Sequence, residues 1–173
     1  SDVYKRQWQE FTPAIIDFAK EQGIPQFFVF GEVYSGDPKE LSSFTTTGDI
    51  PSVLDFAFQY RTKDVFAYGK GTDNLQDLFA NDVLYNDHNS SADYLMNFVS
   101  NHDVGRLGYT LDQSLPDASE QEKIRRVLLS NSLMYFGRGI PVVYYGDEQG
   151  FTGDGGDRGA REDMMPSVTP EYN

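Results

Sequence analysis

The sequence predicts an α/β fold in which about four parallel strands alternate with helices. Short apolar runs rich in Phe, Val and Ile stop abruptly at polar residues, which is typical of strands buried on both faces of a parallel sheet. Between these runs lie segments whose apolar residues recur every three or four positions, a spacing that indicates helices packed on the sheet. No linker, low-complexity tract or internal repeat divides the 173 residues, so we predict one folding unit.

Residues 8–22 are the first predicted helix. Their apolar side chains follow the helical period, and Gly-Ile-Pro ends the pattern. Residues 1–7 are polar and have no period, and we predict that they are a non-native or disordered start. The apolar run 27–30 is the first predicted strand, and it ends at Gly31 and Glu32. A helix that leads directly into a buried strand is the order expected within a β/α repeat.

The middle of the chain has weaker patterns. Residues 35–50 are rich in Ser, Thr, Gly and Asp and are predicted to be mainly a loop. Residues 52–58 are the second predicted strand, in which Asp55 is favoured as a buried, hydrogen-bonded structural carboxylate over a catalytic one. Residues 73–84 are predicted to form a short helix, and a polar connection at 86–92 follows it.

The last part of the chain holds the third and fourth strands. Residues 95–99 are mostly apolar, and N-H-D follows them at residues 101–103. The next predicted helix covers residues 119–136 and begins with a capping box at Ser119. Residues 140–145 form the fourth predicted strand, so the pattern of helix and strand continues to this point.

Carboxylates follow two of the predicted strands. Glu32 ends the first strand and Asp103 lies just beyond the third, at the strand ends where β/α barrels place their chemistry. Cleavage of a glycosidic bond needs one carboxylic acid to protonate the leaving oxygen and further carboxylates to face an oxocarbenium-like transition state. The two residues therefore indicate a candidate glycosidase site.

Three motifs resemble the alpha-amylase family of glycoside hydrolases (family 13). F-G-E-V-Y at 30–34 and F-V-S-N-H-D at 98–103 resemble two of its signature motifs, and G-I-P-V-V-Y-Y-G-D-E at 139–148 resembles the segment around its last barrel strand. The resemblance implies that residues 8–173 are a partial catalytic domain, the second half of a (β/α)8 TIM barrel. The missing N-terminal half of the barrel is then an expected partner, and an alpha-glucan or oligosaccharide is the expected substrate.

The resemblance also implies roles for individual residues. Glu32 is the expected general acid/base, and Asp103 is the expected carboxylate that stabilises the transition state. Arg106 has two open interpretations, contact with the substrate or an ion pair with a carboxylate. The predicted substrate-binding residues are His102, Asn101, Tyr34 and Arg106.

The family's nucleophile, an Asp within R-x-D at the end of the preceding strand, has no clear counterpart. Asp2 stands near the expected position, but neither an apolar strand nor R-x precedes it, and a solvated terminal residue is favoured. We therefore expect the chain to derive from an alpha-glucan hydrolase and to be inactive by itself. The alternatives are a transglycosylase of the same family and a non-catalytic carbohydrate-binding relative.

Composition excludes several other functions. The net charge of −13 argues against nucleic acid and against an anionic membrane surface. The absence of cysteine excludes disulfides and thiolate metal sites. We predict no metal and no cofactor in this segment, because the Gly-Asp loop at 153–157 lacks EF-hand spacing, and we leave calcium open for the complete family enzyme. No signal peptide or membrane span is recognisable, and the resemblance favours an extracellular location.

Overall fold

The computed structural model describes residues 2–164, with side chains described from Lys5 onward. Four short strands alternate with α-helices in this part of the chain. The strands are β1 (Phe30–Gly31), β2 (Ser52–Val53), β3 (Met96–Asn97) and β4 (Ile140–Pro141). The α-helices are α1 (Asp2–Glu21), α2 (Pro38–Thr46), α3 (Phe56–Phe66), α4 (Asp73–Ala80), α5 (Leu107–Ser114), α6 (Glu120–Phe136) and α7 (Gly156–Gly159). Short 3₁₀ helices cover Asp82–Tyr85, Ala92–Tyr94 and Asp147–Gln149.

The strands form a parallel array in chain order. β1 pairs with β2 and β3 pairs with β4, both in parallel, and a parallel bridge between Leu54 and Met96 joins the two pairs. At least one helix lies between each strand and the next, so all carboxyl ends lie at the same edge. This confirms the predicted α/β class, as a partial barrel that is not closed.

The helix predicted from the capping box at Ser119 is confirmed. α6 begins after Ser119, whose side chain accepts a hydrogen bond from the Glu122 amide, as the capping box predicted. α1 begins at Asp2 rather than at residue 8, so the helix includes polar residues that precede its apolar pattern. The helices α5 and α7 were not predicted.

The prediction of a loop over residues 35–50 is wrong. This segment contains α2, and Asp37 caps its first turn by accepting a hydrogen bond from the Lys39 amide at 2.9 Å. Pro38 occupies the first helical position, where its missing N–H has no cost. Burial of Leu41 against the core stabilises the helix further.

The strand predicted over residues 52–58 is also too long. β2 ends at Val53, and Asp55 caps α3 by accepting a hydrogen bond from the Phe58 amide at 2.9 Å. Phe56 and Phe58 are therefore helical and buried rather than extended. A short apolar run fits a buried helix as well as a buried strand, which explains the error.

A largely buried network of charged and polar side chains joins residues in or next to β2, β3 and β4. Asp55 is fully buried and accepts a hydrogen bond from Arg138 at 2.6 Å, as the predicted structural role requires. Arg138 also donates to Asn97 at 2.9 Å and pairs with Asp82 at 2.9 Å. Burial raises the pKa of Asp55, while the charge of Arg138 and the amide of Phe58 lower it. The network connects β2, β3 and β4 through charged groups that all have partners.

Both edges of the sheet carry exposed apolar residues. The run 27–30 was predicted to be buried on both faces, but Phe27, Phe28 and Phe30 are exposed, and Phe30 retains 48% of its surface. On α6, beside β4, Phe136 is 89% exposed. Strand edges and large apolar surfaces of this kind normally pair or become covered.

We expect the isolated chain to self-associate through these edges. Light scattering after size exclusion should show an apparent mass that rises with protein concentration, because association removes apolar surface from water. The double variant Phe30→Ser/Phe136→Ser should associate less, whereas Tyr68→Ser, which removes an exposed ring from the end of α3, should not change the mass. A monomer with one sharp unfolding transition would contradict this expectation.

Residues 2–164 contain no helix that is long and apolar enough to cross a membrane.

Candidate active site

Glu32 lies directly after β1. Its neighbour Gly31 accepts a backbone hydrogen bond from Leu54 at 3.0 Å, which fixes the strand end against the residue that follows β2. The Glu32 side chain is exposed, and no hydrogen bond or ion pair holds its carboxylate within the described residues. The carboxylate is therefore accessible at the carboxyl edge of the sheet.

His102 and Asp103 lie in a tight turn beyond β3. The side-chain oxygen of Asn101 accepts hydrogen bonds from the amides of Asp103 at 2.9 Å and Val104 at 2.8 Å. Gly105 closes the turn by donating to the Asn101 carbonyl at 3.0 Å, and its φ of 77° is in the region that favours glycine. The turn places His102 Nε2 at 3.4 Å from Asp103 Oδ2. The Asn101 side-chain oxygen thus stabilises the turn by accepting these two hydrogen bonds. Contact of Asn101 with a substrate stays a prediction.

Tyr34 forms an exposed aromatic surface near Glu32. It is 59% exposed, and its ring packs against buried Phe56 with centroids 4.7 Å apart. Partial burial raises the pKa of the Tyr60 hydroxyl, and a hydrogen bond with Tyr34 adds to this effect. A Cβ at Gly36 would lie 2.3 Å from the Tyr60 ring, so only glycine permits this packing. An exposed ring on a fixed support can stack on the apolar face of a sugar.

Arg106 is buried and paired with carboxylates, which is the second of its two predicted interpretations. Its side chain has no exposed surface and lies 2.7 Å from both Asp147 and Glu162. A side chain without exposed surface is not open to a ligand in this structure, so the structure favours the ion-pair interpretation over contact with a substrate. Its partners Asp147 and Glu162 lie 41 and 56 residues further along the chain, and no local sequence signal connects them to Arg106.

The two predicted catalytic carboxylates lie at the same edge of the sheet. Glu32 follows β1, Asp103 lies beyond β3, and the intervening β2 pairs in parallel with β1 and is bridged in parallel to β3. Neighbouring strands are about 5 Å apart, so the strands that carry the two residues are separated by about 10 Å. Both side chains therefore lie at one edge of the sheet, two strands apart.

Comparison with known proteins defines the family. The family model "Alpha amylase, catalytic domain" matches residues 4–170, which is nearly the whole chain. The chain belongs to this family. The resemblance stated from the three motifs is therefore confirmed.

Relatives within the alpha-amylase family match only over part of their length. The chain is 40% identical over 165 residues to the alpha-amylase of Streptomyces lividans, covering 95% of the chain but 18% of that protein. It is 33% identical over 135 residues to a cyclomaltodextrin glucanotransferase of Paenibacillus macerans, covering 74% of the chain and 16% of that protein.

Solved structures of alpha-amylases also match over only part of their length. The alpha-amylase of Geobacillus thermoleovorans, complexed with acarbose, matches with a TM-score of 0.70 and 26% identity over 97% of this chain and 35% of that one. An Anoxybacillus alpha-amylase matches with a TM-score of 0.73 and 24% identity, over 97% of this chain and 34% of that one. The chain thus spans about a third of these amylase structures, as expected for part of a barrel.

The Gly-Asp loop after β4 has a structural arrangement. Asp157 lies in α7 and pairs at 2.7 Å with Arg161, which follows this helix. Residues 2–164 contain no group of three or more His, Asp or Glu side chains that is placed to hold a metal ion. The predictions about metals and cofactors remain predictions for this alpha-amylase relative.

Proposed function

We propose that this chain supplies the acid/base and the transition-state-stabilising carboxylate of a retaining alpha-glucan hydrolase. The observation that carries this proposal is the position of Glu32 and Asp103 at the same carboxyl edge of a parallel sheet, in a member of the alpha-amylase family. In barrels of this class the carboxyl edge is where catalytic residues gather.

The proposed reaction has two steps. Glu32, protonated, donates its proton to the glycosidic oxygen while a nucleophilic carboxylate from the rest of the barrel attacks the anomeric carbon and the leaving sugar departs. Glu32 then removes a proton from water, which attacks the glycosyl-enzyme ester and releases the sugar and the nucleophile. Asp103 faces the positive charge that develops on the ring, and His102, 3.4 Å from Asp103, donates a hydrogen bond to a ring hydroxyl.

The proposed substrate is a neutral alpha-glucan or oligosaccharide outside the cell. The net charge of −13 does not oppose binding of a neutral sugar, and Tyr34 offers a ring for stacking. By itself the chain is proposed to be inactive, because the family's nucleophile has no clear counterpart in its sequence.

A completed barrel tests the proposal. We define it as the Streptomyces lividans alpha-amylase in which this chain replaces the matching 165-residue segment. It should hydrolyse soluble starch, and Asp103→Asn should lower kcat by about 100- to 1000-fold, because a charge that faces the transition state is lost. The matched control Asp93→Asn changes an exposed carboxylate in the turn before β3 and should leave kcat unchanged.

Two results would contradict the proposal. One is a folded completed barrel that does not cleave starch, although the Streptomyces lividans protein prepared in parallel does. The other is Asp103→Asn activity within about threefold of the unmodified barrel.

A transglycosylase is the second candidate, favoured by the 33% identity to a cyclomaltodextrin glucanotransferase. In that case a sugar hydroxyl rather than water would attack the glycosyl-enzyme ester. Product analysis of the completed barrel with maltooligosaccharides separates the two candidates, because transfer gives products longer than the substrate and hydrolysis gives shorter ones.

A further inference from the structure

The turn that carries His102 and Asp103 is attached to the segment after β4 by one buried cation. Arg106 Nε donates to Glu162 Oε2 at 2.7 Å, and Nη1 donates to Asp147 Oδ1 at 2.7 Å. Nη2 donates to the Ala160 carbonyl at 3.3 Å. Each guanidinium nitrogen therefore holds a different point of the 147–162 segment.

Aromatic rings enclose the same guanidinium. Its Cζ lies 4.8 Å from the ring centroid of Tyr144, 5.4 Å from Tyr145 and 5.3 Å from Phe151. The hydroxyl groups of both tyrosines donate to the same segment, Tyr144 to Ala160 at 2.9 Å and Tyr145 to Glu162 at 2.8 Å. The rings and the segment thus fix the guanidinium in one orientation.

Arg106 is also rigidly connected to the turn. It follows Gly105, which closes the turn on Asn101, and Leu107 donates its amide to the buried Ser100 hydroxyl at 3.0 Å. The residues on either side of Arg106 are therefore held in place. The anchored guanidinium and the turn are thus joined through one residue of fixed backbone.

We infer that Arg106 is a positioning residue that holds Asp103 and His102 at their places in the site. The inference rests on the proposed function. Arg106 does not touch a ligand, since its side chain has no exposed surface, and it acts through the turn. A displacement of about 1 Å at a reacting group can lower the rate about 100-fold, so the attachment of this turn has kinetic consequences.

Arg106→Lys in the completed barrel is the direct test. Lysine keeps the charge but is a point donor that cannot hold Asp147, Glu162 and Ala160 together. We expect kcat to fall by about 10- to 100-fold, with KM changed by less than about threefold, because the turn with the groups that face the transition state moves while the exposed Tyr34 ring, which follows β1, remains in place. Arg125→Lys, the same replacement at an exposed position of α6, is the matched control and should leave both constants unchanged.

A second variant keeps the inference testable if Arg106→Lys does not fold. Glu162→Gln keeps the Arg106–Asp147 pair and removes one carboxylate, and we expect kcat to fall by about threefold or more, again with little change in KM. If Arg106→Lys does not fold, this variant decides the question. Circular dichroism at the assay temperature establishes that each assayed variant is folded.

The possible outcomes separate this inference from the proposed function. A folded Arg106→Lys variant with unchanged kcat, or a higher KM with unchanged kcat, would overturn the positioning role. Unchanged kcat in Glu162→Gln would do the same where Arg106→Lys is unfolded. If Asp103→Asn retains full activity, the proposed function fails instead, whatever the Arg106 result.

Discussion

Replacing Glu32 by Gln in the completed barrel should lower kcat on starch by about 100- to 10,000-fold. The amide has nearly the same shape as the carboxylic acid but cannot donate a proton to the glycosidic oxygen or accept one from water. Substrate affinity should change little, because the exposed Glu32 carboxylate holds no other group within the described residues. Steady-state kinetics give kcat, and calorimetry with acarbose reports binding separately.

Two comparisons make this result specific to Glu32. Glu21→Gln removes an exposed carboxylate at the end of α1 and should have full activity. A substrate with an activated leaving group, such as a 4-nitrophenyl maltooligosaccharide, needs less protonation and should lose less activity in Glu32→Gln than starch does. Equal activity of Glu32→Gln and the unmodified barrel would rule out the acid/base role.

Replacing Asp55 by Ala should destabilise the completed barrel by about 3–5 kcal/mol. The substitution leaves the largely buried charge of Arg138 without one of its two carboxylate partners. It also removes the cap of α3, in which the Asp55 side chain accepts a hydrogen bond from the Phe58 amide. Urea titration followed by tryptophan fluorescence or circular dichroism measures the loss as a lower midpoint.

A double variant tests whether the loss comes from the unpaired charge. Asp55→Asn combined with Arg138→Met should destabilise less than the sum of the two single changes, because neither buried charge of the Asp55–Arg138 pair is then left without the other, and only the partly exposed Asp82 loses a partner. Asp17→Ala, which breaks an exposed pair with Lys20 on α1, is the control and should have little effect. Additive effects in the double variant would show that the network is not coupled.

The sequence was sufficient to predict where β1 and β3 lie, whereas the roles of the candidate site residues stay predictions. Apolar runs stop at Gly31-Glu32 and before N-H-D, and the structure places β1 and β3 at these runs. The capping box at Ser119 correctly marked the start of α6, because a cap is a local interaction between neighbouring residues. Local signals of this kind do not depend on the rest of the fold.

Interactions between residues that are distant in the chain could not be predicted from the sequence. Arg106 is 41 residues from Asp147 and 56 residues from Glu162, and no spacing rule connects them. The helix α2 was missed because its Ser and Thr residues suggested a loop, although Asp37-Pro38 is a recognisable start signal. The exposure of Phe30 depends on which part of the fold lies beside β1, and the local pattern of apolar residues does not predict this.

The anomeric configuration of the first product tests the central claim most directly. Proton NMR of the completed barrel acting on a maltooligosaccharide, recorded before mutarotation, distinguishes the α and β forms of the new reducing end. The account predicts the α form, because a covalent intermediate and two displacements retain the configuration of the substrate. A β product would mean a single displacement by water and would contradict the roles assigned to Glu32 and Asp103.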